Sequence, residues 1–301
     1  MRQGGWNKFI IRAPGKWVLS GEHAVLRGAT AVAFPHPEFC LTLEFEPASE
    51  FASKGDGEGS GLEIQPEWAR SVILDLLQMV RDEQNARGRE FQFPAGRLML
   101  ESTVPSGAGL GSSAALCVAV ARWLSEPLGV PDAGILEFAT HLEHRFHGKS
   151  SGMDVAVCAV ERPISFVRGR GPTFLQLKRF PKFTFHDTGL RASTSECIRR
   201  VEQLREDDPV SAIRADELMS RASRFVLEGL PAYDGASGQP ASETALKRVA
   251  EGMKSAHEAF LIWSLVPGKV QREIEDLYRQ GALAVKLTGA GGGGFLVALW
   301  P

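Results

Sequence analysis

The sequence predicts an α+β chain, in which strands and helices mix without the steady strand–helix–strand repeat of a doubly wound sheet. Two features lead to this class. Short β-patterned segments occupy the first part and the far end of the chain, whereas most of residues 194–279 carries helical periodicity. Three glycine-rich segments, far apart in sequence, interrupt the pattern. With 301 residues and 44% hydrophobic composition, the chain can build one large domain or two ordinary ones.

The elements follow in order. Phe9-Ile10-Ile11 reads as a short strand entering the first glycine segment, and Leu41 to Phe45 alternates like a strand with one wet face. Residues 49–62 are rich in Gly, Ser, Asp and Glu and read as a loop. Val72, Leu76, Met79 and Val80 give 67–87 a helical stripe. Residues 98–100 form a strand, 112–124 a small-residue apolar helix expected to be buried, and 133–146 another helix. Residues 163–166 and 183–186 read as strands. A weakly marked boundary near 168–180 divides an expected N-terminal nucleotide-binding lobe, 1–175, from a C-terminal lobe, 176–301. Helices are expected over 194–205, 210–228, 242–265 and 270–279, with a Gly/Ser/Pro-rich break at 231–240. Residues 284–287 and 295–299 bracket the last glycine segment as two strands.

Bulk properties exclude several function classes. A formal net charge of −2 gives no electrostatic case for nucleic acid. No apolar run reaches the roughly 18 residues of a membrane span, and Met1 to Trp6 lacks the apolar centre of a signal peptide. Cys40, Cys117, Cys158 and Cys197 are scattered and show no metal-binding spacing. The expectation is a cytoplasmic protein with reduced thiols, acting on small molecules and not on nucleic acid or membrane.

The chemistry lies in the glycine segments. They are Ala13-Pro14-Gly15-Lys16 running on to Gly21-Glu22-His23-Ala24-Val25, then Pro105-Ser106-Gly107-Ala108-Gly109-Leu110-Gly111-Ser112-Ser113, and last Lys286-Leu287-Thr288-Gly289-Ala290 followed by Gly291 to Gly294. The middle one runs straight into a helix. A glycine-rich loop feeding a helix N-terminus binds phosphate, because free N–H groups and the positive end of the helix dipole converge there. A Walker loop is excluded, since Gly111-Ser112-Ser113 carries no lysine. A dinucleotide fingerprint is excluded because the acidic residue at about the right distance, Glu126, precedes Pro127 at a helix end and does not close a strand.

All three segments, in order and near the expected spacing, resemble the motifs of the GHMP kinases (galactokinase, homoserine kinase, mevalonate kinase, phosphomevalonate kinase). Within that family the first segment is most similar to the mevalonate kinases. Galactokinases carry arginine where Lys16 stands, and phosphomevalonate kinases usually have tyrosine where His23 stands. His147-Gly148-Lys149-Ser150-Ser151-Gly152-Met153-Asp154 resembles the stretch that ends in the mevalonate kinase catalytic aspartate, and Asp187-Thr188-Gly189 with Ser193-Thr194 the segment that helps close its pocket.

The resemblance implies a two-lobed fold with the active site in the cleft between lobes. It implies ATP- and Mg²⁺-dependent phosphorylation of the primary hydroxyl of mevalonate, giving 5-phosphomevalonate. Pro105, Gly107, Ala108, Gly109, Leu110, Gly111, Ser112 and Ser113 would hold ATP. Ser113, with Ser112 as rival, and Glu143, eleven residues before Asp154, would bind Mg²⁺. Asp154 would accept the hydroxyl proton while Lys16 keeps it ionised. Glu22, His23, Thr188, Gly289 and Ala290 would face the acceptor. Plainer alternatives stand beside these roles. The serines and Asp154 could be helix caps, Glu143 could pair with His147 one turn on, His23 could be a satisfied buried histidine, Thr188 turn chemistry, Lys16 a solvated lysine and Lys286 a strand-end charge.

Departures from the pattern are Lys149 and Ser150, where Asn and Pro are common, a bulkier Trp17, and Phe295 in place of a small residue or cysteine. Lys149 would favour a more anionic acceptor. A phosphomevalonate or sugar kinase with the same machinery is therefore the alternative, and a non-catalytic ATP-binding sensor a more distant one. The chain could act as a monomer or a homodimer.

Overall fold

The longest strand organises the first half of the chain. In this computed structural model, which describes residues 6–48, 61–147, 151–234 and 242–301, β2 (Ala31–Pro47) gives one edge to β1 (Phe9–Ser20), with Phe9 opposite Phe45 and Ser20 opposite Val32. Its other edge is shared. Residues 41–47 pair antiparallel with β4 (Gly96–Ser102), and residues 31–33 with β5 (Ile164–Val167). β3 (Leu62–Gln65) lies parallel to β4, to which it connects through α1 (Glu67–Ala86), and β6 (Gly171–Phe174) closes the sheet beyond β5.

Four helices pack with this sheet and set the site. α2 (Ser112–Leu128) is apolar all round, and Ala114 to Ala121 are all buried. Such a helix has no wet face and belongs inside a core. It packs in one cluster with Leu43, Phe45, Leu98, Ile73 and Leu142, which come from β2, β4, α1 and α3 (Ile135–His147). α4 (Met153–Val160) follows.

The second half holds β7 (Lys182–Asp187), α5 (Thr194–Asp207), α6 (Pro209–Asp234), α7 (Glu243–Ile262), α8 (Gly268–Arg279), β8 (Ala284–Thr288) and β9 (Phe295–Trp300). Its three strands form an antiparallel sheet in the order β7-β9-β8. α6 and α7 approach closely at glycines, since a Cβ on Gly229 would lie 2.7 Å from Val249 and one on Gly252 2.9 Å from the Ala222 carbonyl. One apolar cluster belongs to both halves, with Trp17, Leu19 and Phe34 of the first sheet packed among Val226, Val249, Phe295 and Val297. Trp17 stacks on Phe34 at 4.5 Å between ring centroids.

The structure corrects several sequence expectations. The strand expected at 9–11 continues to Ser20, so Ala13 to Lys16 lies in a strand and not in a loop. A bulge between Pro14 and Lys16 absorbs the irregularity at Gly15 without ending the pairing. The strand expected at 41–45 is only the second half of β2. Pro35 and Pro37 hid the first half, because proline removes a ladder donor. β3, β6 and α4 were not anticipated. α6 runs through Pro231 to Asp234, into the expected break, and α7 ends at Ile262, short of 265. Residues 49–60 of the expected loop and 235–240 of the break lie outside the described residues. Among the described residues no helix is long and apolar enough to cross a membrane.

Candidate active site

A cleft of about 540 Å³ is lined by all three glycine segments. Gly107, Gly109 and Gly111 have φ of 67°, 76° and 77°, the left-handed region that glycine enters without steric cost. Backbone then packs on backbone. A Cβ on Gly289 would fall 2.7 Å from the Gly109 carbonyl oxygen, and one on Gly294 2.4 Å from that of Ala108. The first segment joins from the other side, where the Lys16 N–H donates to the Leu110 carbonyl at 2.8 Å.

Gly111 is the N-cap of α2, and the first helical N–H engaged is that of Ala115, which bonds to the Gly111 carbonyl at 2.9 Å. The N–H groups of the first turn therefore have no helical carbonyl to meet, as at any helix start. Because Gly111 holds the cap position, neither Ser112 nor Ser113 caps the helix. Both serines line the cleft, as do Pro105, Gly107, Ala108, Gly109 and Leu110.

Lys16 crosses the loop to reach Asp154. A Cβ on Gly111 would lie 2.7 Å from Lys16 Cγ, so only glycine leaves the lysine its path. Lys16 Nζ stands 2.9 Å from Asp154 Oδ2, with the lysine side chain 4% exposed and the aspartate 32%. Lys16 is thus not a solvated surface lysine. Asp154 is in the first turn of α4 but is not its cap, which is Gly152 at φ 81°. The positive end of α4 and the ammonium both face this carboxylate.

Glu143, on α3, is buried and lines the same cleft as Ser113. Both offer hard oxygen donors beside a phosphate loop, which suits Mg²⁺, an ion that usually takes only one or two protein groups alongside phosphates and waters. Among the described residues no group of three or more His, Cys, Asp or Glu is placed to hold a metal. A Ser–Glu pair completed by phosphates would not be such a group. The proposed partner of Glu143, the His147 side chain, lies outside the described residues, as do Lys149 and Ser150.

Glu22 and His23 form the opposite wall. His23 has φ 58° and ψ −48°, and the Ala24 N–H reaches back to the Glu22 carbonyl at 2.6 Å. This is a γ-turn, a strained conformation that persists where its surroundings enforce it. His23 Nε2–H donates to the Ala290 carbonyl at 2.8 Å, which makes Ala290 both a cleft residue and the anchor of the histidine. Burial lowers the His23 pKa to about 4, so the ring is neutral. Arg27 secures the same turn to α6 through a 2.8 Å bond to Asp216.

Lys286 is no strand-end charge. It is fully buried, with Nζ 2.5 Å from Glu22 Oε1 and 3.2 Å from the Val18 carbonyl. Burial pushes the Glu22 carboxyl up and the Lys286 ammonium down, and each is drawn back by the other.

Thr188 is not brought to the cleft. Its hydroxyl donates to the Gly294 carbonyl at 2.8 Å, so it holds the base of the last glycine loop. The threonine of this segment that lines the cleft is Thr194, one turn before Ile198 on α5. Sequence reasoning also missed an apolar end of the cleft, formed by Trp68, Val72, Leu116 and Phe146. Trp68 is 62% exposed, and only its unusual exposure in the finished fold marks it.

Comparison with known proteins agrees with this fold. The sequence model for the GHMP kinases N terminal domain matches residues 72–162, and that for GHMP kinases C terminal matches residues 241–301. The mevalonate kinase of Thermococcus gammatolerans is 26% identical, across 98% of this chain and 90% of its own. That of Aeropyrum pernix is 27% identical, across 96% and 87%. The fold is that of the L. major mevalonate kinase in complex with R-mevalonate (TM-score 0.74, 23% identity, 99% of this chain and 90% of that one). A Lactococcus lactis galactokinase complexed with galactose superposes equally well (TM-score 0.74, 15% identity, 97% and 85%). The architecture alone therefore does not select the acceptor.

Proposed function

This chain belongs to the GHMP kinase family, and from that premise we propose that it transfers the γ-phosphoryl group of ATP to the primary hydroxyl of mevalonate, giving 5-phosphomevalonate. The observation that carries the reading is the Lys16–Asp154 pair, 2.9 Å apart in a cleft that also holds the glycine loop and the start of α2. Phosphoryl transfer needs charge neutralisation, in-line positioning and a route for the hydroxyl proton. Backbone N–H groups of 107–113 cradle the triphosphate, and the apolar end at Trp68 and Val72 receives the adenine. Asp154 Oδ takes the proton of the attacking hydroxyl. Lys16 holds that carboxylate in place and stabilises the charge that develops on the attacking oxygen. Ser113 and Glu143 would hold Mg²⁺, which neutralises phosphate charge when bound.

His23 supports mevalonate as acceptor, because it stands where phosphomevalonate kinases usually carry tyrosine, and the relatives named above are mevalonate kinases. The intact Lys16–Asp154 pair argues against a non-catalytic sensor. In this reading residues 1–175 form the nucleotide-binding lobe and 176–301 the lobe that closes the acceptor side. ADP release by the purified protein, measured with mevalonate, phosphomevalonate and a sugar panel, tests the assignment. Turnover with mevalonate is expected. Release that stays at background with mevalonate and rises with another acceptor overturns it.

A further inference from the structure

Lys286 is buried completely, and nothing in the phosphoryl-transfer scheme uses it directly. Burying an ammonium costs several kcal/mol unless it is well paired, and replacing a buried pair by apolar side chains is often neutral or stabilising. The pair with Glu22 is therefore a poor device for stability alone. Its location is specific. Lys286 bonds Glu22 Oε1 and the Val18 carbonyl, while Thr288, on the same strand, accepts the Val18 N–H at 2.7 Å. Val18 lies two residues after Lys16 on β1. The second oxygen of Glu22, Oε2, is buried and has no hydrogen-bond partner among the described residues, although Glu22 lines the cleft. An ionised carboxylate oxygen left in this state lacks a donor.

We propose that Lys286 is a positioning residue that fixes Glu22 as a carboxylate, leaving Oε2 to accept a hydrogen bond from a hydroxyl of the acceptor other than the one phosphorylated. Four charges then alternate from the second sheet to the catalytic helix: Lys286, Glu22, Lys16 and Asp154. Glu22 is faced by Lys286 from β8 and Lys16 from β1, with the neutral His23 beside it. Lys286 is faced by His257 of α7 and by the Phe260 ring, 5.3 Å from Nζ. Burial favours neutral Glu22, and the Lys286 ammonium opposes it. Removing the ammonium leaves the carboxyl protonated, with one oxygen changed from acceptor to donor.

The acceptor arm of this inference rests on the kinase reading above, whereas the pairing arm does not. Lys286→Met, Glu22→Gln, Lys286→Arg and the double variant Glu22→Gln/Lys286→Met test both. In the pairing arm, the melting temperature of Lys286→Met falls relative to that of the double variant as pH rises from 5 to 8, because the isolated Glu22 must lose a proton that the fold retains, whereas the buried histidines titrate alike in both. In the kinetic arm, run with whichever acceptor the wild-type protein turns over, Lys286→Met and Glu22→Gln each raise the acceptor KM about tenfold or more, the worth of a hydrogen bond to a charged group. The KM for ATP stays within twofold. The double variant loses no more than either single one, and Lys286→Arg restores most of the loss. If Lys286→Met does not fold, the double variant, which leaves neither member of this pair charged, supplies the comparison with Glu22→Gln. A melting-temperature difference between Lys286→Met and the double variant that does not change with pH, an unchanged acceptor KM in Lys286→Met, or losses that multiply in the double variant each overturn the proposal.

Discussion

Asp154 and Lys16 show what a single pair of side chains can do in a cleft that asks little covalent chemistry of the protein. Asp154→Asn keeps the shape and removes the proposed proton acceptor. Its kcat is expected to fall by about 10²–10⁴, the usual worth of a general base, with ATP affinity unchanged in a binding titration. Retention of full turnover would remove Asp154 from the mechanism. Two other residues set the acid limit of the fold. His23 and His36 are buried, and burial lowers each pKa to about 4 from the ordinary 6.5. His36 Nδ1 accepts from the N–H groups of Glu38 and Phe39, which a proton on that nitrogen would repel. A base with a depressed folded pKa contributes fully above its unfolded value and loses that contribution as pH falls. Stability should therefore be constant above about pH 6.5 and decline towards pH 4, by up to about 3 kcal/mol per histidine. Melting curves across this range check it, and His36→Asn, whose amide oxygen can replace Nδ1 as acceptor, should soften the decline. At this scale the sequence revealed the groups with a motif around them. It concealed Lys286, since a lysine beside a glycine loop looks solvated. The one legible hint was its setting, Ala284-Val285-Lys286-Leu287, which has no polar face to turn to water.

Among elements, the glycine loops serve different ends that composition alone cannot separate. Gly289 has φ 88° and faces the Gly109 backbone, whereas Gly28, at φ 90°, has open space around it. Gly28→Ala should cost only the left-handed penalty of about 1–2 kcal/mol. Gly289→Ala should lower the melting temperature further and sharply reduce turnover, because two loops must part to admit the methyl group. Equal effects of the two substitutions on turnover would contradict this packing. The apolar end of the cleft invites a second test. Trp68→Ala is expected to raise the KM for ATP about tenfold, in the range found for base–aromatic stacking, without altering the acceptor KM. A change confined to the acceptor KM would place the nucleobase elsewhere. Element order was legible wherever periodicity was strong, as in α1 and α7. It failed at β1 and at the first half of β2, where glycine and proline within a pair of bulged strands read as breaks, because strand pairing depends on a partner distant in sequence. α4 is too short to display a period.

Over the whole molecule, the two sheets have separate strands but not separate interiors. Trp17, Leu19 and Phe34 pack with Val226, Val249 and Val297. Neither half can bury these residues alone, so urea unfolding should be one cooperative transition, with tryptophan fluorescence and far-ultraviolet circular dichroism coincident. Two resolved transitions would show that the shared cluster contributes little. Length and composition had allowed one domain or two without choosing, because they count apolar residues and say nothing of which ones meet.

The tie between β1 and β8 has a consequence for how the protein is made. Val18 waits for Thr288 across a separation of 270 residues. On the ribosome, the strand bearing Lys16 emerges 270 residues ahead of the strand it bonds to and stays without that neighbour meanwhile. The cleft is therefore complete only once β8 has docked on β1, and no turnover is expected from a nascent chain before that step.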